Sequence, residues 1–126
     1  MVTIEQLQEV AFETRKLLGW TRPGNRVLRV GPTFGVMTCG HQALNVAHVH
    51  SHKGHRHYGR ICINLKALVL DLADWKRIIL HEMIHFKIHR HGMRFQKFYY
   101  QFDQSEGWNA MLYKAWDIVG YPKRYR

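Results

Sequence analysis

Cysteine is scarce in this chain, and acid is missing from nearly half of it. The 126 residues hold only 2 Cys. Cys39 and Cys62 are too few for a disulfide framework and neither sits in a CxxC pair. A disulfide-stapled secreted scaffold is therefore excluded, and both thiols read as buried small hydrophobes in a reduced, cytoplasmic setting. Long apolar runs are also missing. Stretches such as Ile61–Ile63 and Ala67–Leu70 fall far short of the roughly 20 residues that span a bilayer, so no membrane partner is expected. Met1–Leu18 carries Glu5, Glu9 and Glu13, which suits an amphipathic helix and not a secretion signal. The third gap is the largest. No Asp or Glu occurs from Thr14 to Leu70, a stretch that holds nine Lys/Arg and six His.

What is present points to a folded, basic domain. Hydrophobic residues make up 46% and aromatics 13% of the chain, which rules out disorder as the general state. The length suits one domain over residues 1–126, with a short basic tail at 121–126. A net charge of +10, concentrated by the acid-free stretch, favours nucleic acid or another polyanion as partner. The plainer reading is that the charge only keeps a small protein soluble.

Patterning predicts an α+β fold. Thr3 and Gln6 fit a capping box, and Ile4, Leu7, Val10, Ala11, Thr14, Leu17 and Leu18 follow a 3.6-residue period that ends at Gly19. β-like runs follow at Arg26–Val30 and Thr33–Thr38. From Gln42 to His50 apolar and other residues alternate, and Tyr58–Leu65 returns as a strand after a His-rich loop. These predict a small antiparallel sheet of about three strands. Asp71 and Asp74 then open a long helix with Leu72, Trp75, Ile78, Ile79, Met83 and Phe86 on its core face. Met93–Phe102 has helical spacing. Asp103 or Ser105 is placed to cap a last helix, with Trp108, Met111, Leu112, Ala115 and Val119 inward, before Gly120 and Pro122 stop it.

The chemistry lies in the long helix. His81-Glu82-Met83-Ile84-His85 is an HExxH motif. Residues four apart stand one turn apart and about 40° around a helix, so both imidazoles reach one metal ion. Glu82 adjoins them without being placed as a ligand, and is positioned to act as general base on a metal-activated water. A third ligand is needed. His89 follows His81 by eight residues, roughly 12 Å along an unbroken helix, too far for metal–nitrogen bonds of about 2.1 Å. His91 precedes Gly92, where the chain can turn back, and is the expected third ligand of a single Zn2+.

The pattern His81-Glu82-x-x-His85 followed by His91-Gly92-x-x-Phe95 resembles the SprT-like zinc metallopeptidases, whose signature is HExxH and then HGxxF. Arg60–Leu65 resembles the strand those domains place before the active-site helix. The likeness spans Ile4 to Phe102 and is specific over Ile61–Phe95. It implies a zincin-like fold with His81, His85 and His91 as zinc ligands and Glu82 as catalytic base. It also implies proteolysis of DNA-associated proteins. The spacer of five residues between His85 and His91 is short for the family and equals that of metzincins. Against a metzincin, Ile88 replaces the expected Gly and no Met-turn is found. The C-terminal zinc ribbon of many SprT-like proteins is absent, so DNA contact would fall to the peptidase domain.

The other signals leave alternatives open. His41, His48, His50, His52, His55 and His57 read as a second metal site, as a pH-sensitive rim touching phosphate, or as a solvated loop. Arg56, Arg60, Arg90, Arg94, Lys97, Tyr99 and Tyr100 are candidate nucleic-acid contacts, with Tyr99 and Tyr100 as the exposed rings. Phe95, Phe98 and Phe102 are expected in the core. Two further functions compete with a peptidase acting near DNA: a nucleic-acid-binding module with a structural or silent zinc site, and a metal-dependent hydrolase of another amide.

Overall fold

The computed structural model describes residues 1–20, 31–37, 44–105 and 107–126. Helix α1 covers Ile4–Leu17 and starts at the predicted capping box. Thr3 Oγ1 accepts the Gln6 N–H at 3.2 Å, and Gln6 Oε1 accepts the Thr3 N–H at 2.9 Å. At its end Gly19 takes a φ of 71°, a left-handed conformation that a Cβ resists, and its N–H returns to the Lys16 carbonyl. Leu7, Val10 and Ala11 bury the inner face of the helix, whereas Leu17 of the expected stripe is exposed at its last turn.

Three short strands follow: β1 (Thr33–Val36), β2 (Ala47–Val49) and β3 (Arg60–Ile63), in the order β1-β3-β2. β2 is antiparallel to β3, with His48 opposite Cys62, but β1 is parallel to β3, with Phe34 opposite Ile61. The sheet is therefore mixed and not antiparallel as the sequence predicts. Alternation tells which face a side chain takes; it carries nothing about the direction of the neighbouring strand. β3 is the central strand, with β1 parallel on one side and β2 antiparallel on the other. The strands are also shorter than their patterns. Residues 44–46 form a turn and bend before β2, and Tyr58 and Gly59 belong to the loop before β3. The run Arg26–Val30, with Cys39 and His41, lies outside the described residues. In β3, Ile61, Cys62 and Ile63 are all buried, as a strand covered on both faces requires. Cys62 is buried, as expected, and forms no disulfide among the described residues.

A 3-10 turn at Leu65–Val69, capped by the Asn64 side chain, leads to helix α2 (Leu72–Ile84). Asp71 Oδ1 accepts the Asp74 N–H at 2.9 Å and caps the helix. Trp75 is fully buried, and its indole N–H donates to the Ala67 carbonyl at 3.0 Å, so its one polar atom is satisfied. Ile79 and Met83 extend this buried stripe, whereas Phe86 of the predicted stripe falls past the helix end and only partly packs. Helices α3 (Met93–Tyr100) and α4 (Gly107–Val119) complete the fold. Gly107 N–H reaches Ser105 Oγ at 3.4 Å, and Ser105 is itself held by Asp103, so both expected capping residues contribute. Met111, Ala115 and Val119 face the core, while Trp108 and Leu112 are only half-buried.

The basic tail is tied down. The Arg126 guanidinium donates to Asp117 Oδ1 at 2.6 Å and to the Tyr121 carbonyl at 2.7 Å. The architecture is α+β, with the core shared by α1, β3, α2 and α4. Among the described residues no helix is long and apolar enough to cross a membrane.

Candidate metal centre

The site is built where α2 stops. His81 lies in its last turn and His85 is its C-cap, so one helical turn aligns the two imidazoles. The chain then reverses. Ile88 is buried and its N–H bonds the Ile84 carbonyl at 2.9 Å, which pins the turn. His91 follows, immediately ahead of Gly92, the N-cap of α3.

The three Nε2 atoms converge. They are separated by 2.9 Å (His81–His91), 2.8 Å (His85–His91) and 3.3 Å (His81–His85). Nitrogens about 2.1 Å from one tetrahedral ion stand about 3.4 Å apart, so a small contraction is all that distinguishes this arrangement from a coordination shell. The donor set fits as well. His85 Nδ1 lies 3.0 Å from the Ile88 carbonyl, which fixes the proton on Nδ1 and turns the Nε2 lone pair inward. Burial, with the neighbouring imidazoles, holds His81 well below the ordinary histidine range and His85 at about 4. Burial also lowers His91. Three neutral rings aiming at one point lack enough protons to satisfy one another, and a cation resolves that conflict. The expected ligands His81, His85 and His91 are thus brought together in an arrangement that could hold a metal ion. Among the described residues no other His/Cys/Asp/Glu group is brought together in this way.

Glu82 opens onto the same groove as the three imidazoles. Burial alone pushes its carboxyl up to about 8; a dication beside it would draw that value back down.

Two aromatic residues frame the imidazoles. Phe95, one turn into α3, has its ring centroid 4.7 Å from His81, 4.7 Å from His85 and 5.3 Å from His91. Trp108 of α4 stacks flat on His81 at 4.4 Å with the planes 1° apart. Sequence reasoning assigned Trp108 to the core and missed this contact, because helical periodicity records an inward residue without saying what it meets. The spacing in HGxxF was the available signal for Phe95: it returns a ring to the residue that opens the motif.

The triad and Glu82 line a groove of about 680 Å³ running between the β2 region and helices α3 and α4. His89 also lines it but stays outside the converging nitrogens. Its Nδ1 meets Ser51 Oγ at 3.0 Å and its ring stacks on His52 at 4.4 Å, which ties the histidine loop to the α2–α3 turn. The remaining loop histidines gather around His50. Its ring lies 4.7 Å from His48, 4.5 Å from His55 and 5.5 Å from His57, and its Nε2 is 3.4 Å from Cys62 Sγ. His48, His50 and His52 are therefore divided between two neighbourhoods, His48 in β2 and the other two past its end.

The proposed nucleic-acid contacts separate into two groups. Arg56, Arg90, Arg94, Lys97 and Tyr100 are exposed. Tyr99 is buried, and its hydroxyl donates to Asp103 Oδ2 at 2.7 Å; with Phe95 it forms the inward i, i+4 pair of α3, which corrects its expected exposure. Phe98 and Phe102, expected in the core, are only partly buried. Arg60 is committed to the sheet, where its guanidinium covers Gly35 and donates to the Val36 carbonyl at 3.0 Å. Compared with known proteins, the chain matches no family model, no curated protein and no solved structure.

Proposed function

We propose that the protein is a zinc-dependent endopeptidase of the SprT-like kind, acting on proteins associated with DNA. The observation that carries the reading is the convergence of three imidazole Nε2 atoms beside Glu82 at the wall of an open groove. A zinc ion held by His81, His85 and His91 would supply Lewis acidity, polarising a carbonyl and acidifying water. The groove accommodates an extended peptide, with its reacting bond opposite the triad. Glu82 receives the proton that water loses as it attacks the carbonyl carbon, and passes it to the departing amine nitrogen as the C–N bond breaks. The hydrogen bond from His85 Nδ1 to Ile88 and the stack of Trp108 on His81 hold two of the three rings in register. The exposed Arg56, Arg90, Arg94 and Lys97 suit phosphate contact outside the groove, which would bring the enzyme to its substrates along DNA.

Glu82→Gln tests the reading. It should keep stoichiometric zinc and lose peptide cleavage by at least about 100-fold, the lower range for a general base. A wild type that holds zinc but cleaves no protein or peptide, with or without DNA, would leave a nucleic-acid-binding module with a silent zinc site as the better account.

A further inference from the structure

The groove is poor in charged side chains. In a chain of net charge +10, its described lining contains no Lys, Arg or Asp, and Glu82 is its one carboxylate. Its long wall is one face of α4. Trp108, Leu112 and Trp116 repeat every four residues along that face, with Met111 buried behind them. Trp108 touches the metal centre through His81 at 4.4 Å. From there to Trp116 the helix rises about 12 Å, the length of three to four residues of extended chain. The far end is braced: Trp116 stacks on Tyr121 at 5.2 Å, and Arg126 lies over its ring. Asn45, Val46, Ala47, His48 and Val49 line the groove from the β2 side. A trough rich in rings and branched aliphatic groups thus leads away from the three histidines along α4.

We propose that this trough selects substrates with bulky uncharged side chains, leucine or phenylalanine and their like, on one side of the cleaved bond, and that Leu112 and Trp116 set the preference. The proposal rests on the peptidase reading of the site and adds its specificity. A charged side chain entering the trough away from Glu82 would lose water and find only neutral polar groups such as Asn45, Gln96 and Asn109 in place of an opposite charge. An apolar one gains the burial against Trp108, Leu112 and Trp116. The basic residues outside the groove then recruit, and the uncharged groove chooses.

The test uses peptides that differ at one position at a time, carrying Leu, Phe, Lys or Glu on either side of a common bond. Wild type should cleave the Leu and Phe peptides at least tenfold more efficiently in kcat/KM on one side of the bond. Leu112→Lys should shrink that ratio at least fivefold and raise the relative cleavage of the Glu peptides, with zinc content unchanged. Equal cleavage of charged and apolar peptides by the wild type overturns the proposal. Binding provides a second arm that needs no turnover and no substitution in the trough. Zinc-loaded Glu82→Gln should bind fluorescein-labelled Leu peptides at least tenfold more tightly than the matching Glu peptides, read by anisotropy. Equal binding overturns the proposal whatever the wild type cleaves. A binding preference with no cleavage upholds the trough and brings down the peptidase reading alone.

Discussion

Three histidines at the end of α2 and four around His50 use the same side chain in two ways, and the contrast lies in what their nitrogens face. In the first group the rings meet edge-on or tilted, so that three Nε2 atoms come within 3.3 Å of one another. In the second the ring centroids are nearly as close, 4.5 to 5.6 Å against 4.5 to 5.0 Å in the triad, but no three ligand nitrogens converge and His55 Nδ1 already accepts the backbone N–H of His57. The triad is assembled by a helix end and a reversal, both fixed by backbone hydrogen bonds. The His50 group spans β2 and the loop after it, which backbone hydrogen bonds such as His50 N–H to the Arg60 carbonyl also hold, yet it brings no three ligand nitrogens to one point among the described residues. A density of imidazoles is therefore a poor guide to a metal centre, and convergence of lone pairs is a better one.

The largest expected effect separates the two groups outright. His85→Ala should abolish stoichiometric zinc after dialysis against a weak chelator, while His57→Ala should leave it unchanged, as measured by elemental analysis. Equal loss from both would make the loop part of the centre. A smaller effect is read from pH. Burial, then the neighbouring imidazoles, holds His50 at about 4, and the same kinds of cause hold His85 at about 4. An unfolded chain protonates both near 6.5, so the folded state takes up fewer protons between those values. Stability is complete above about pH 6.5 and declines as the pH falls toward 4. In the metal-free protein, His50→Gln should reduce the loss between pH 7 and pH 5 by about 1–2 kcal/mol, measured by urea unfolding. The variant should release zinc over the same pH range as the wild type, since His50 lies outside the group of His81, His85 and His91 that could hold the ion. The smallest effect concerns the aromatic rings of α3. Tyr99→Phe removes the hydroxyl donated to Asp103 and should cost about 1 kcal/mol without changing DNA affinity. Arg94→Ala should leave stability within about 0.5 kcal/mol and lower the salt slope of any DNA binding by about one.

Local signals carried furthest. The Thr3–Gln6 box, the Gly19 stop and the Asp71 cap each depend on two or three neighbouring residues, and each is found where the pattern puts it. The choice of His91 over His89 was legible for the same reason: helix rise per residue excludes one and a glycine turn admits the other. What could not be read depended on partners distant in sequence. The parallel pairing of β1 with β3, the commitment of Arg60 to Val36, and the stack of Trp108 on His81 each join segments more than twenty residues apart. No periodicity encodes them. Tyr99 was misjudged within its own helix because the apolar stripe suggested Phe98 and Phe102, while packing turned Phe95 and Tyr99 inward.

The flat stack of Trp108 on His81 also equips the protein with an optical probe of its own. An indole in contact with a metal-ligating imidazole will lose emission when a paramagnetic ion such as Co2+ or Cu2+ enters the triad. It will be affected far less by Zn2+, whose filled d shell cannot take up the excitation. Occupancy of the centre can therefore be followed in the unlabelled protein, and Trp108→Phe identifies which of the four tryptophans reports it.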